Sequence, residues 1–449
     1  MKLLKNYPYK QVLILGLAKS GTAAARLLLD SGVSVRVNDW NASHEDENVQ
    51  GLKEAGAEVV LGSHPLSVLD GVEIVIKNPG IRYDNPIAAA ASESGLPIIT
   101  EVELAGLLHE GPMIAITGSN GKTTTTTLTY NMLAKSNRPA RVAGNIGEVS
   151  CEVARETSEE DRLVIELSSF QLMGIDEFKP SVAVLLNIYE AHLDYHKTLE
   201  NYQQAKANIF KNQTAEDHLV YNAENETIQA FLDQAEGKKV PFSTKRKVEH
   251  GGYLEDGSIF FQGEKIIDLD EVVLVGEHNL ENILAAVSAA KLTGATNEGI
   301  REVLTTFSGV EHRLQFVKNL HDRFFYNDSK ATNILATSKA LEAFSQPVHL
   351  LAGGLDRGNE FDELIPFLEN VKSLIVFGET AEKLTKAGHQ AGISTIKQVD
   401  NVEQAARKAY ELSDPMDVIL LSPACASWDQ YRTFEERGHK FVQAVHKLK

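Results

Sequence analysis

The run Met113-Ile114-Ala115-Ile116-Thr117, leading directly into Gly118-Ser119-Asn120-Gly121-Lys122-Thr123-Thr124, constrains this chain more than any other segment. Strand-forming residues stop at a glycine turn, and a threonine-rich helical stretch follows. In an α/β sheet such a turn aims backbone N–H groups and the positive end of a helix at anionic oxygens. Lys122 supplies a mobile cation for outer phosphates, and Thr123 offers a hydroxyl to Mg²⁺. The usual phosphate-loop pattern has its first glycine five residues before Gly121, where Ile116 stands, so the loop is a compressed variant that uses Gly118. A glycine turn that merely caps a helix is the other reading.

The chain has 449 residues, which at about 150 per domain predicts three domains. Short apolar runs at 12–15, 33–37, 59–61, 74–76 and 97–99 alternate with helical stretches at 22–30 and 87–94. That alternation predicts a parallel sheet with helices on its faces. In the middle of the chain, strands are expected at 163–167 and 182–186, and a small antiparallel edge within 245–267. Helices are expected at 202–210 and 279–293, the second capped by Asn279. Strands at 324–327, 348–352, 374–377 and 418–421 define a last unit. The expected fold class is α/β, with three consecutive domains at 1–109, 110–309 and 310–449.

Lysine and arginine total 44 against 62 acidic residues, a net charge of −18. This argues against a general nucleic-acid binder or a basic membrane-surface protein and favours small-molecule partners. Any anionic ligand then needs a locally positive site. Cys151 and Cys425 are the only cysteines, too few for a disulfide scaffold or a cysteine-only zinc site. With no signal-peptide pattern in 1–10 and no apolar stretch of about 18 residues, the chain reads as cytoplasmic and not membrane-inserted.

Other polar groups fall at strand ends, where open α/β sheets bind ligands. Gly16-Leu17-Ala18-Lys19-Ser20-Gly21, with Asp39 at the end of the next strand, resembles a dinucleotide fingerprint. Ala18 replaces its middle glycine, which disfavours a dehydrogenase and leaves open a nucleotide held differently or a purely structural turn. Lys77-Asn78-Pro79-Gly80-Ile81 is a second glycine turn at that edge. Glu166, Asn187, Glu190, His192 and Asp194 end or follow central strands, and Lys206 sits on the next helix. Such oxygen-rich surroundings suit Mg²⁺ shared with phosphate, although each residue alone has a structural explanation. Asn279 and Asn282, one helical turn apart, offer amides to a base or phosphate; Arg313 offers a phosphate clamp or a linker salt bridge. Lys330 and Arg357 lie in polar loops suited to a carboxylate, whereas Cys425, among apolar neighbours, reads as buried packing.

The strings TGSNGKTTT, ELSSFQL, LNIYEAHLDYH, AKANIF, GEHNLENILAA, GVEHRLQ, NDSKATN and SPACASWDQYRTFEERGHKF, in this order along essentially the whole chain, resemble the Mur ligases. The last string, together with GLAKSG and NPGI, resembles the member of that family that adds D-glutamate. The resemblance implies a Rossmann-like N-terminal domain, a central P-loop-type ATPase domain and a Rossmann-like C-terminal domain. It implies ATP-dependent ligation of D-glutamate to UDP-N-acetylmuramoyl-L-alanine through an acyl phosphate, in peptidoglycan precursor synthesis. It also implies ATP held by Gly118, Ser119, Asn120, Gly121, Lys122, Thr123, Thr124, Asn279, Asn282, Arg313 and Asp328. One Mg²⁺ would sit at Thr123 and Glu166, and a second at His192 and a carbamylated Lys206. Leu17, Asp39, Trp40 and Gly80 match the UDP edge, and Asn145 and Ser168 the muramoyl end. Lys330, Thr332, Ser427 and Phe434 match the D-glutamate pocket, with Arg357 as a basic helper; the partners are small molecules and the state monomeric.

Two residues depart from the family pattern: Ser119 stands where threonine is usual, and Trp40 where a small hydroxyl residue is common, which points to stacking on uracil. Asp84-Asn85-Pro86 is similar to part of the diaminopimelate-adding member's motif but reads as a turn before a helix. The alternative readings are a folylpolyglutamate synthase-like glutamate ligase, which would not need the first domain, and a nucleotide-regulated binding protein without ligation.

Overall fold

Short apolar runs bounded by glycine and polar turns become buried strands, as expected of sheets covered on both faces. The structure, a computed structural model, describes residues 1–274 and 276–448. It divides into two compact units, Met1–Val272 with His278–Thr305, and Val273–Glu277 with Thr306–Lys449. Among the described residues no helix is long and apolar enough to cross a membrane.

The first unit contains two sheets. One is all parallel, in the order Glu58–Leu61, Ser34–Asp39, Gln11–Leu15, Ile74–Lys77, Ile98–Ile99. Leu15 lies opposite both Asn38 and Lys77, so the turns that follow these three strands leave the same edge. Gly16 has φ +94°, and a Cβ on Gly21 would sit 1.9 Å from the Gly16 carbonyl oxygen, so only glycine at 21 lets the helix Lys19–Asp30 close on the strand.

The other sheet runs Glu264–Asp268, Ser258–Phe261, Gly252–Glu255, Lys238–Ser243, His218–Asn222, Val182–Leu185, Met113–Thr117, Arg162–Glu166, Ala140–Gly144. The first three of these form the antiparallel edge expected within 245–267. Met113–Thr117 lies between two parallel partners, with Thr117 opposite Leu185 and Ile116 opposite Glu166. The loops after these strands therefore meet at one edge, which is the geometry that makes a site possible here.

Local corrections to the sequence reading are small. The helix Glu277–Leu292 starts after Gly276, whose φ is +102°, so Asn279 lies inside its first turn and is not its cap. The helix around Lys206 is Leu199–Ala207, capped by the Thr198 side chain, and tightens to a 3-10 turn at Asn208–Phe210. Ala140–Gly144, His218–Asn222, Lys238–Ser243, Gln315–Leu320 and Ile396–Gln398 are strands with no clean apolar run, because each mixes basic or polar side chains with few apolar ones.

One cluster of buried apolar side chains extends from Val12 and Ile14 in the first sheet through Val102 and Leu104 to Phe178 and Phe210 beside the second. The helix Glu101–Leu108 crosses this region with two buried acids. Glu103 accepts the N–H groups of Asp176 (2.7 Å), Glu177 (2.8 Å) and Phe178 (3.2 Å), which pins the turn beneath the second sheet. Glu101 accepts the Cys151 N–H, and both cysteines are free and buried.

The second unit is built on the order Gln315–Leu320, Arg323–Asn327, Val418–Leu421, Val348–Gly353, Val371–Phe377, Ile396–Gln398, parallel except for the first pair. Three neighbouring strands, ending at Asn327, Leu421 and Gly353, release their loops at one edge.

Burial pushes the Glu101 carboxyl from 4.5 up to about 7. The folded chain therefore holds a proton there that the unfolded chain releases, and stability from this group falls as pH rises from 4.5 through 7. Glu101→Gln should remove that dependence: between pH 5 and 8 the wild type should lose up to about 3 kcal/mol relative to the variant in urea unfolding.

Candidate active site

The loop Gly118–Gly121 is held from three directions. The Ser119 N–H donates to the Asn187 carbonyl (2.9 Å) and the Asn120 N–H to Asn187 Oδ1 (2.9 Å). The Ser119 hydroxyl donates to the Tyr189 carbonyl (3.1 Å) and shares a hydrogen bond with the Tyr202 hydroxyl (2.8 Å). Ser119 thus ties the loop to the segment that carries His192 and to the helix that carries Lys206. Gly121 has φ +82°, and a Cβ there would lie 2.0 Å from Asn282 Oδ1. Asn282 packs against the loop and donates to Asn279 Oδ1 at 3.1 Å, so both amides from the helix Glu277–Leu292 reach this edge. Thr123 and Thr124 open the helix Lys122–Lys135 and are half-buried.

Two lysines converge on one oxygen. Lys122 Nζ donates to the Gly118 carbonyl (2.9 Å) and the Ser119 carbonyl (3.1 Å), and Lys206 Nζ donates to the same Gly118 carbonyl (2.8 Å). The two nitrogens can be no further apart than those bonds laid end to end. Lys206 is 2% exposed and lies 4.8 Å from the Tyr202 ring centre. Burial, and secondarily the Lys122 charge, hold its pKa well below 10.5, so the neutral amine is accessible. His192, with φ +56°, is solvent-exposed; partial desolvation and then the Lys206 and Lys122 charges lower its pKa. Phe170 contacts the His192 ring edge-on at 5.1 Å and stacks on His196 at 5.3 Å.

Glu166 ends its strand beside Ile116 and is buried. Its Oε1 accepts from Asn145 Nδ2 (3.1 Å), while Oε2 is buried with no hydrogen-bond partner. A desolvated carboxylate oxygen beside a phosphate-type loop has the donor chemistry of a hard-cation ligand. Ser168 caps the helix Ser169–Leu172, with its hydroxyl engaged by Gln171 (2.8 Å).

At the first sheet's edge, Asp39 Oδ2 accepts the Leu17 N–H (2.6 Å), and Oδ1 accepts those of Asn41 and Ala42 (2.7 and 2.8 Å). Asp39, Trp40, His64, Asn78 and Asn85 line a cleft of about 230 Å³, where exposed Trp40 sits 5.3 Å from the His64 ring. Asn38 Nδ2 donates to the Val60 and Ser63 carbonyls, so its Oδ1 accepts from His64 Nδ1 and leaves Nε2 facing Asn85. Gly80 is exposed on the neighbouring turn. A larger cleft of about 580 Å³, lined by Tyr83, Asn201 and Gln204, includes Asp84 of the turn before a helix but none of the residues expected to bind ATP, Mg²⁺ or substrate.

That Gly80 turn is latched to the His192 segment by a pair the sequence reading missed. Lys77, 1% exposed, donates to the Ile81 (2.6 Å) and Asn78 (3.2 Å) carbonyls and to the Tyr195 hydroxyl (3.2 Å). The Tyr195 hydroxyl lies 2.8 Å from the Ile81 carbonyl and 3.0 Å from that of Pro79. Only the spacing of Tyr195, three residues after His192, hinted at this.

In the second unit, Asp328 accepts the Leu314 N–H (3.2 Å) and the Ser422 hydroxyl (2.8 Å), and burial raises its carboxyl to about 7. Arg313 is exposed in the loop before it. Lys330 lies 5.3 Å from the Phe434 ring centre, and exposed Arg357 lies 5.2 Å from that of Trp428, next to Ser427. Thr332 follows in the Lys330 turn, its N–H on the Lys330 carbonyl (2.9 Å), and Ser427 Oγ is buried without a partner. Sequence reasoning missed Arg437, which is fully buried beneath these loops.

Glu311, His312 and His439 form a cluster with metal-ligating atoms within 4.8 Å. Asn327 Nδ2, however, donates to His312 Nδ1 (2.9 Å) and to Gln315 Oε1 (3.1 Å), while Asn327 Oδ1 accepts the Ser329 N–H (3.2 Å). The neutral imidazole then carries its proton on Nε2, the nitrogen 3.8 Å from Glu311, and has no lone pair there for a metal.

Three family profiles match the chain: "Mur ligase MurD-like, N-terminal domain" over residues 10–100, "Mur ligase middle domain" over 116–290, and "Mur ligase, glutamate ligase domain" over 312–425. The chain is 58% identical to the UDP-N-acetylmuramoylalanine–D-glutamate ligase of Oceanobacillus iheyensis and 57% identical to that of Geobacillus kaustophilus, covering 100% of both chains in each case. Among solved structures, the UDP-N-acetylmuramate-alanine ligase of Thermotoga maritima shares the fold, with a TM-score of 0.56 and 19% identity over 98% of this chain and 100% of that one.

Removing the latch should loosen the Gly80 turn. In Tyr195→Phe and Lys77→Met, backbone amides of residues 78–82 should exchange with deuterium about tenfold faster than in the wild type, while those of Met113–Thr117 should not change.

Proposed function

The chain belongs to the Mur ligase family, and we propose that within it this protein joins D-glutamate to UDP-N-acetylmuramoyl-L-alanine at the expense of ATP, in cytoplasmic peptidoglycan precursor synthesis. The observation that carries this reading from the molecule itself is the meeting of Lys122 and Lys206 at the Gly118 carbonyl, at the same sheet edge as the unpartnered Glu166 oxygen. It is a cationic, oxygen-lined place for a triphosphate and a carboxylate in a chain of net charge −18. The full-length similarity to D-glutamate ligases supports the choice of substrates.

In this reading the alanine carboxylate attacks the γ-phosphorus of ATP, and ADP leaves. The amine of D-glutamate then attacks the acyl phosphate, and phosphate leaves from a tetrahedral intermediate. Such a transfer needs positioning and charge neutralisation. The backbone of Gly118, Ser119, Asn120 and Gly121, with Lys122, Thr123 and Thr124, cradles the phosphates. Asn279, Asn282, Arg313 and Asp328 serve the rest of the nucleotide. Mg²⁺, when bound, offsets repulsion between phosphate and carboxylate. Thr123 and Glu166 would hold one ion, and the Glu166 oxygen left without a partner fits that role.

His192 and Lys206 would hold a second ion only if Lys206 ceases to be a cation. Its depressed pKa supports this: the neutral amine attacks CO₂, loses a proton and becomes a carbamate anion. Leu17, Asp39, Trp40 and Gly80 take the UDP portion, Trp40 by stacking, and Asn145 and Ser168 take the muramoyl end. Lys330, Thr332, Ser427, Phe434 and Arg357 receive D-glutamate. The domains implied are 1–109, 110–309 and 310–449, acting as a monomer.

Phosphate release should require ATP, UDP-N-acetylmuramoyl-L-alanine and D-glutamate together. Equal release with a folate and L-glutamate would favour the folylpolyglutamate synthase-like reading, and none with either pair would favour a binding protein. For Lys206, incubation with ¹³CO₂ should give a carbamate ¹³C signal that is absent from Lys206→Ala. That variant should lose about 10³-fold in kcat and recover part of it with added acetate; full activity without acetate would remove Lys206 from the mechanism.

A further inference from the structure

Arg437, in the first turn of the helix Phe434–His446, heads the fully buried side chains by size and is 0% exposed. Its guanidinium reaches three loops at once. Nε donates to Ser329 Oγ (3.1 Å), Nη2 to the carbonyls of Ser329 (2.9 Å) and Cys425 (3.0 Å), and Nη1 to the Gly353 carbonyl (3.3 Å). These loops follow the adjacent strands Arg323–Asn327, Val418–Leu421 and Val348–Gly353. The Ser329 hydroxyl passes the connection on by donating to the Phe434 carbonyl (2.7 Å). Lys330, Ser427 and Phe434 each lie within two residues of an atom in this network, or belong to it.

Every acceptor of Arg437 is neutral, and among the described residues no carboxylate lies within ion-pair distance of it. The Asp429 carboxylate acts on it only from beyond ion-pair distance, so burying this cation is costly, and an apolar side chain of similar volume would fill the space without that cost. Burial lowers its pKa to about 10, so the group remains a cation at neutral pH. What an apolar replacement lacks is the rigid planar fork and the positive charge. Three strand-end segments are locked around one guanidinium, whose positive charge is opposed by the nearby Asp429 carboxylate, and in the segment that carries Cys425 the Ser427 Oγ is buried and unpartnered.

We propose that Arg437 is a positioning residue for the acidic amino-acid substrate: its fork fixes the loops that carry Lys330, Ser427 and Phe434 in the arrangement that receives a dicarboxylate. This rests on the D-glutamate reading of those loops. It predicts selective damage. In Arg437→Met the KM for D-glutamate should rise at least about tenfold, while the KM values for ATP and the UDP-linked substrate should stay within about twofold. Arg437→Lys, which keeps charge but loses the fork, should fall between Met and wild type. Ser329→Ala, which removes one acceptor and leaves the carbonyl contacts, keeps the test open if Arg437→Met fails to fold; it should raise only the D-glutamate KM, by about threefold. An unchanged D-glutamate KM, or a parallel rise for all three substrates, would overturn the proposal. Failure of the underlying reading would look different: the wild type itself would release no phosphate with D-glutamate.

Discussion

The carbonyl oxygen of Gly118 takes hydrogen bonds from two lysines, and the rest of the first unit's site is arranged around that crowding. Two ammonium groups beside one neutral oxygen repel each other, most strongly where water is excluded. Lys206 is the buried member, and its burial first and this repulsion second hold its pKa well below 10.5. In the proposed reaction, phosphate oxygens near Lys122 and a carbamate in place of the Lys206 ammonium would relieve that repulsion. A chain with net charge −18 thereby makes one place where a polyanion is welcome.

Such a site works only if its loops cannot drift apart, and the side chains that prevent drift are mostly not those that touch substrate in the proposed reaction. Asn187 and the Ser119 hydroxyl fix the phosphate-type loop to the segment after Leu185. Lys77 and Tyr195 fix the first sheet's glycine turn to the His192 segment. Glu103 anchors the turn at 176–178, so the two sheets of the first unit share a continuous core. In the second unit Arg437 does the same for three strand-end loops. Each of these is a buried or half-buried polar group that bonds mainly to backbone, the kind of contact that imposes one geometry at a cost in desolvation.

That division explains what could be read from the sequence. Gly118 to Thr123, Glu166 and Lys206 were legible because a parallel strand followed by a glycine turn delivers its side chains to a known edge, whatever the rest of the chain does. Lys77, Tyr195 and Arg437 were not, because a lysine at a strand end or an arginine in a helix looks solvated until tertiary structure buries it. Ser119 stands where threonine is usual, and nothing in the sequence tells that its hydroxyl ties two loops together. Asn279 has a capping residue's composition but lies inside the helix, because Gly276 with positive φ moves the start forward. The Glu311, His312 and His439 cluster makes the opposite point: ligand-type residues come together, and a hydrogen bond from Asn327 decides against a metal.

The crowding of two lysines at one carbonyl is most directly tested by titration. In protein labelled with ¹³C at lysine Cε and kept in CO₂-free buffer, the Lys206 signal, assigned by its absence in Lys206→Arg, should titrate well below 10.5 and move upward when Lys122 is changed to methionine. A Lys206 signal that titrates together with the surface lysines, and is indifferent to Lys122, would contradict the account.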